Sequence, residues 1–156
     1  MTDEMYIKEA IRIAEENVIN VGGGPFGALI VKGDMIISEA VNTVTLTNDP
    51  TAHAEVNAIR AACKALNTFD LSGSVLYSSC EPCPMCLSAI YWAHIDKIYY
   101  AASRYDAQDA GFDDSFIYEE LNLPISERHI KIIRLLSADG RLPFDQWKKN
   151  ITKVPY

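Results

Sequence analysis

Ser74-Val75-Leu76-Tyr77-Ser78 leads through Ser79-Cys80-Glu81-Pro82 into Cys83-Pro84-Met85-Cys86 and an apolar run that closes on Trp92-Ala93. The first five residues read as a short strand. Pro84 to Ala93 reads as a helix, because proline suits the first turn of a helix and not its interior. A strand that passes straight into a helix is the building unit of an α/β domain. Cys83 and Cys86 fall at the start of that helix, where exposed N–H groups and the helix dipole favour thiolates. Three residues apart in one helical turn, both sulfurs can reach a single metal ion.

A second junction of the same kind lies upstream, where Asn48-Asp49-Pro50-Thr51-Ala52 runs into His53-Ala54-Glu55 and a helix expected over His53 to Leu66. Residues i and i+2 do not share a helical face, so His53 and Glu55 cannot meet along a flank. They can meet at the helix N-terminus, where first-turn side chains fan out around a point beyond the helix end. One imidazole and two thiolates suit zinc better than magnesium or calcium. Three protein ligands leave the fourth position for a water, whose pKa then falls to roughly 7. Glu55, which is not a ligand in this reading, is placed to move protons. The pattern points to hydrolysis. Two alternatives use the same residues: a closed structural site with Cys80 as fourth ligand, and a redox pair at Cys83 and Cys86. The first leaves Glu55 without a purpose, and the second leaves His53 idle as well.

The rest of the chain alternates helical and strand-like patterns. Ile7, Ala10, Ile11, Ala14 and Val18 recur at helical spacing, predicting a first helix from about Asp3 to Ile19 that glycines 22 to 24 stop. Phe26 to Val31 and Met35 to Val41, separated by Lys32-Gly33-Asp34, predict a β-hairpin. Lys97 to Ala101 and Ile130 to Leu135 read as further strands, and Asp139 to Asn150 as a terminal helix. The expectation is an α/β chain in three layers, a mixed sheet of about five strands with helices on both faces. Ligand sites in such sheets lie at strand ends. Gly22-x-Gly24-x-x-Gly27 spells a dinucleotide fingerprint by accident, since it follows a helix and precedes a strand. His94 and His129 belong to no motif and read as surface or junction residues.

The 156 residues, 49% of them hydrophobic, suit one domain, 1-156, with a genuine core. A net charge of -7 and a pI near 4.9 argue against a surface that grips phosphate backbones, so a small-molecule substrate is expected and nucleic acid is not. The acidic N-terminus and the lack of a long apolar run predict a cytoplasmic protein with no membrane partner. Four cysteines, three of them between residues 80 and 86, read as metal binding in a reducing compartment; Cys63 reads as a buried helix residue.

Together, His53-Ala54-Glu55 and Pro82-Cys83-Pro84-Met85-Cys86 resemble the zinc-dependent cytidine deaminase superfamily, whose signature is H-x-E followed by P-C-x-x-C. Gly23-Gly24-Pro25-Phe26-Gly27-Ala28, Asn48 to Glu55, Ser79 to Cys86 and Ala110-Gly111-Phe112-Asp113-Asp114-Ser115-Phe116-Ile117-Tyr118 resemble its small bacterial guanine deaminases, nearly end to end. The first three segments are also similar to transfer-RNA adenosine deaminases, so the fourth and the terminal tyrosine choose the substrate. The resemblance implies that His53, Cys83 and Cys86 hold one Zn2+ per chain and that Glu55 shuttles protons. It implies that Asn42 hydrogen-bonds the purine edge, that Phe26 and Trp92 wall the ring, that the Ala54 backbone contacts it, and that Asp114 faces the departing amino group. It further implies a homodimer in which the segment from about 137 to 156 is swapped, so that Tyr156 covers the neighbouring subunit's pocket. Read as residues alone, Asn42 is a turn cap, Phe26 and Trp92 are core, Asp114 is a loop or cap residue, and the tail is an ordinary loose terminus. Guanosine, cytosine or another amino-substituted heterocycle, a transfer-RNA adenosine, and a noncatalytic zinc module remain as alternatives.

Overall fold

Thr2 opens the first helix. Its hydroxyl accepts the Met5 N–H at 3.4 Å, and Asp3 and Glu4 follow in the first turn, where the helix dipole favours negative charge. This helix, α1, spans Asp3–Glu16 and continues as a π-helical turn over Asn17–Val21. The computed structural model describes residues 1–156, which form two compact units, 1–114 and 115–156.

In the first unit β1 (Gly27–Lys32) and β2 (Met35–Val41) form the expected hairpin, with a register shift between Ile30 and Val31. A single turn, α2 (Val44–Thr47), leads to α3 (Ala54–Leu66). Then come β3 (Ser74–Cys80), α4 (Pro84–Trp92), β4 (Lys97–Ala102) and α5 (Arg104–Asp109). The sheet order is β2-β1-β3-β4; β1 is antiparallel to both neighbours, and β3 and β4 are parallel. Parallel neighbours need a crossover, and α4 supplies it.

Central strand β1 shows why helices must cover both faces. Its alternate residues Ala28 and Ile30 join Ala54, Ala58, Ala62, Leu76 and Ile90 in one core, while Leu29 and Val31 join Tyr6, Ala10, Ile13 and Tyr77 in another. With successive side chains pointing to opposite faces, β1 has no side left for water. α1 settles onto the start of β1 at Gly27, where a Cβ would stand 2.5 Å from the Ala10 carbonyl oxygen. The inner face of α1 therefore carries Tyr6, Ala10, Ile13 and Ala14, and the expected Ile11 and Val18 lie outside it, exposed. Tyr77 stacks between Tyr6 and Tyr99 and donates to Asp3 Oδ1 at 2.5 Å, which fastens the start of α1 to the sheet.

The second unit holds α6 (Ser115–Asn122), two 3-10 turns at Ile125–Glu127 and Asp139–Arg141, and α7 (Leu142–Lys149). The expected strand over Ile130–Leu135 is not one, and the sheet has four strands where about five were expected. The run is rich in β-branched residues, but a strand exists only with a ladder partner, and residues 115–156 contain no other strand. The terminal helix is shorter than the expected Asp139 to Asn150, with a 3-10 turn taking its first residues. No helix is long and apolar enough to cross a membrane.

Candidate active site

Two helix starts face one another. His53 is the N-cap of α3 and Cys83 the N-cap of α4, both in extended backbone and neither side chain capping its own helix. An N-cap side chain normally turns back to a first-turn N–H; these two are turned outward instead, toward each other. Cys86 comes from the first turn of α4 and is fully buried. His53 Nδ1 lies 3.6 Å from Cys83 Sγ and 3.5 Å from Cys86 Sγ, and the three ligand atoms lie within 4.8 Å of one another. Bond lengths of about 2.3 Å to sulfur and 2.0–2.1 Å to nitrogen, at tetrahedral angles, would set such N···S pairs about 3.6 Å apart. The donor set and its spacing fit a zinc ion.

Glu55 sits beside this group and is buried, with Oε2 3.4 Å from Cys86 Sγ and Oε1 accepting from the Ser78 hydroxyl at 3.5 Å. Burial pushes its carboxyl well above the usual carboxylate range. The two thiols share a hydrogen bond: that bond, aided by His53, draws Cys83 down, while the same bond and burial push Cys86 up. The Cys83 sulfur in turn raises His53. A divalent cation would relieve this sharing by holding both sulfurs as thiolates.

Cys80 faces away from the group. Its thiol is directed at the Ser103 carbonyl, 3.6 Å off, and burial pushes it up to about 11. Three donors therefore converge, and the fourth that a closed site requires is engaged elsewhere. Cys63 is half-buried on α3 rather than buried, and His94 and His129 are both exposed.

Of the residues expected to contact substrate, Ala54 directly follows His53, and Asp114 lies near enough to feel the charge of Cys83. Asn42, just past β2, is buried; its Oδ1 accepts the Val44 N–H at 3.2 Å, which leaves Nδ2 as the donor. Ala54 is the first residue of α3, in the turn whose N–H groups have no intrahelical acceptor. Phe26 meets Phe112 edge to face, centroids 5.0 Å apart at 86°. Asp114 is half-buried and its carboxyl is raised, first by burial and then by the charge of Cys83. Trp92 is not brought to this group: it ends α4, roughly 12 Å along the axis from its start at 1.5 Å per residue, and is 66% exposed. Tyr156 lies in the second unit, exposed. Phe112, which packs on Phe26, was not named as a site residue, although the segment holding it was singled out. Ser78 and Asn57 were also missed. Asn57 Nδ2 donates to Val41 O and Thr43 Oγ1 at 3.0 Å each and to Ala52 O at 3.3 Å, joining the end of β2 to the approach of α3.

Comparison with known proteins agrees with this geometry. The family model for the cytidine and deoxycytidylate deaminase zinc-binding region matches residues 1–102. The chain belongs to this deaminase family. Within it, the chain is 52% identical over 157 residues to the guanine deaminase of Bacillus subtilis (strain 168), covering all of both chains. A crystal structure of the guanine deaminase from Bacillus subtilis superposes with a TM-score of 0.97 at 51% identity, over 100% of this chain and 99% of that one. The tRNA-specific adenosine deaminase of Aquifex aeolicus (strain VF5) is 45% identical over 102 residues, covering 65% of this deaminase chain and 67% of its own.

Proposed function

We propose that this deaminase removes the amino group of guanine by hydrolysis, giving xanthine and ammonia, with one zinc ion per chain held by His53, Cys83 and Cys86. The observation that carries the reading is a buried Glu55 beside three converging ligand atoms, in a chain similar over its whole length to a guanine deaminase. Zinc, when bound, supplies acidity to the water it holds, bringing its pKa to roughly 7. Glu55 takes a proton from the attacking water and delivers it to ring nitrogen N3 as C2 becomes tetrahedral. It then passes the second proton to the amino group, and the C2–N bond breaks to release ammonia. A carboxyl raised by burial suits a group that must accept and donate in one cycle.

In this reading Asn42 donates from Nδ2 to an acceptor on the purine edge, and the α3 N-terminus at Ala54 meets the ring. Phe26 and Phe112 form the apolar wall, and Asp114 accepts from the departing amino group. We assign Trp92 and Tyr156 to the neighbouring subunit's pocket in a homodimer that exchanges the segment from about 137 to 156, in the cytoplasm. Exposure of both aromatics, and of the apolar run Ile130–Leu135, supports a partner subunit.

The test follows ammonia release from guanine, guanosine, adenine, cytosine and a transfer-RNA anticodon stem in parallel, with zinc content measured. Release from guanine alone is expected; none from guanine in zinc-replete protein rejects the proposal. For the exchange, a chain lacking its last residues is co-expressed with a full-length Glu55→Gln chain. Each alone is inactive, and mixed dimers regain turnover if the tail serves its neighbour.

A further inference from the structure

The π-helical turn that ends α1 has no part in the reaction described above, yet its first residue is one of the most buried polar side chains of the fold. Asn17 is 2% exposed. Its carbonyl accepts Gly22 N–H at 2.8 Å and Gly23 N–H at 3.1 Å, closing the turn. Its side chain reaches onward: Nδ2 donates to Gly24 O at 2.8 Å and to Asn42 O at 2.9 Å. One amide thus spans the glycine loop and the end of β2.

Room for that bridge exists because residue 23 has no side chain. A Cβ on Gly23 would stand 2.4 Å from Asn17 Nδ2 and 2.7 Å from Asn42 O. Gly24 then lies against the Asn42 side chain, since a Cβ there would come 3.0 Å from Asn42 Cγ and Oδ1. The loop and strand end are also paired directly, with Phe26 N–H on Gly24 O at 2.8 Å and Asn42 N–H on Phe26 O at 3.1 Å. The backbone of Asn42 is therefore held by Asn17, its amide is backed by Gly24, and Oδ1 is fixed by Val44 N–H. Every restraint on Asn42 leaves Nδ2 as the group to be presented.

We infer that Asn17 is a positioning residue for purine recognition, acting through Asn42 from behind the pocket without touching the substrate. The inference rests on the proposed contact between Asn42 and the purine. π turns interrupt helices at a cost in regularity and are frequent at functional sites. Here the widened turn delivers a buried amide to two carbonyls on separate segments. Replacing it removes two donors from buried acceptors, which loosens Asn42 while leaving His53, Cys83, Cys86 and Glu55 in place.

The experiment is steady-state deamination of guanine by the zinc-loaded full chain in Asn17→Leu, Asn42→Ala and the double variant, with zinc content measured for each. Leucine keeps the volume of Asn17 and removes both donors. KM should rise about tenfold in Asn17→Leu with kcat within about threefold, the size expected for losing one to two hydrogen bonds. In the Asn42→Ala background the same substitution should change KM by less than about twofold. A purely structural Asn17 would instead lower active, zinc-bearing protein without moving KM. Wild-type KM in Asn17→Leu alongside a raised KM in Asn42→Ala overturns the inference, as does a full Asn17→Leu penalty in the Asn42→Ala background. Unchanged KM in Asn42→Ala overturns the purine contact itself, and with it the route proposed for Asn17. Should Asn17→Leu fail to fold, Asn17→Ser, whose hydroxyl is too short to span both carbonyls, decides by the same comparison.

Discussion

The metal-ligand group and the proposed substrate wall are built by different means. His53, Glu55, Cys83 and Cys86 come from two short segments, and the N-terminus of one helix places each pair. Local geometry does nearly all the work: N-cap and first-turn side chains project past the helix end whatever the rest of the fold does. The proposed wall residues Phe26, Asn42, Phe112 and Asp114 lie in loops and at strand ends, and the end of β2 at Asn42 is held by amides from distant elements, buried Asn17 and half-buried Asn57. A site made from helix ends concentrates its chemistry in short motifs. A site made from strand ends scatters it.

Breaking the first half should have the largest effect. Cys86→Ser or His53→Ala removes one of three ligands, so bound zinc should fall below one-tenth of wild type and turnover to background, measured by metal analysis and ammonia release. Retained zinc with full activity would contradict the ligand set. Glu55→Gln comes next. It keeps the shape and removes the proton acceptor, so zinc should stay while kcat falls at least about 100-fold. The second half should respond in the other parameter. Asn42→Ala removes a proposed substrate contact rather than a reacting group, so KM for guanine should rise about tenfold or more, with a smaller change in kcat. If Asn42→Ala lowered kcat as deeply as Glu55→Gln, the division between chemistry and recognition would not hold.

The same contrast governs what could be read from the residues in advance. The hairpin, α3, β3, α4 and β4 are each set by local pattern and turn chemistry, and all form where that pattern puts them. The metal-ligand residues were legible because H-x-E and C-x-x-C pack their geometry into two or three positions. Ile130–Leu135 carries strand composition without strand structure, since pairing is a tertiary fact that β-branched residues cannot supply alone. Trp92 shows the opposite limit: its helix starts at the metal-ligand group, but Trp92 stands at the helix's far end. Phe112 and Asn17 gave no signal. An aromatic or an amide in a polar stretch looks like any other until the fold brings Phe26 or Asn42 against it.

Cys80 sharpens the comparison with the smallest effect. By sequence it belongs to the metal-ligand half, since Cys80-x-x-Cys83-x-x-Cys86 spaces three thiols evenly. By position it does not: it ends β3, paired with Ala102 of β4, and its thiol is directed at the Ser103 carbonyl. Side chains leave a strand alternately to either face, so a cysteine at a strand end follows the sheet, whereas Cys83 and Cys86 follow the helix. Burial also pushes the Cys80 thiol up to about 11. Cys80→Ala should therefore leave one zinc per chain and kcat/KM within about twofold, with a stability loss of about 1 kcal/mol from the lost packing and weak hydrogen bond. Metal analysis beside a thermal melt separates the two contributions. Zinc lost from Cys80→Ala as completely as from Cys86→Ser would make the site a closed one, and a closed site leaves no position for the water on which Glu55 acts.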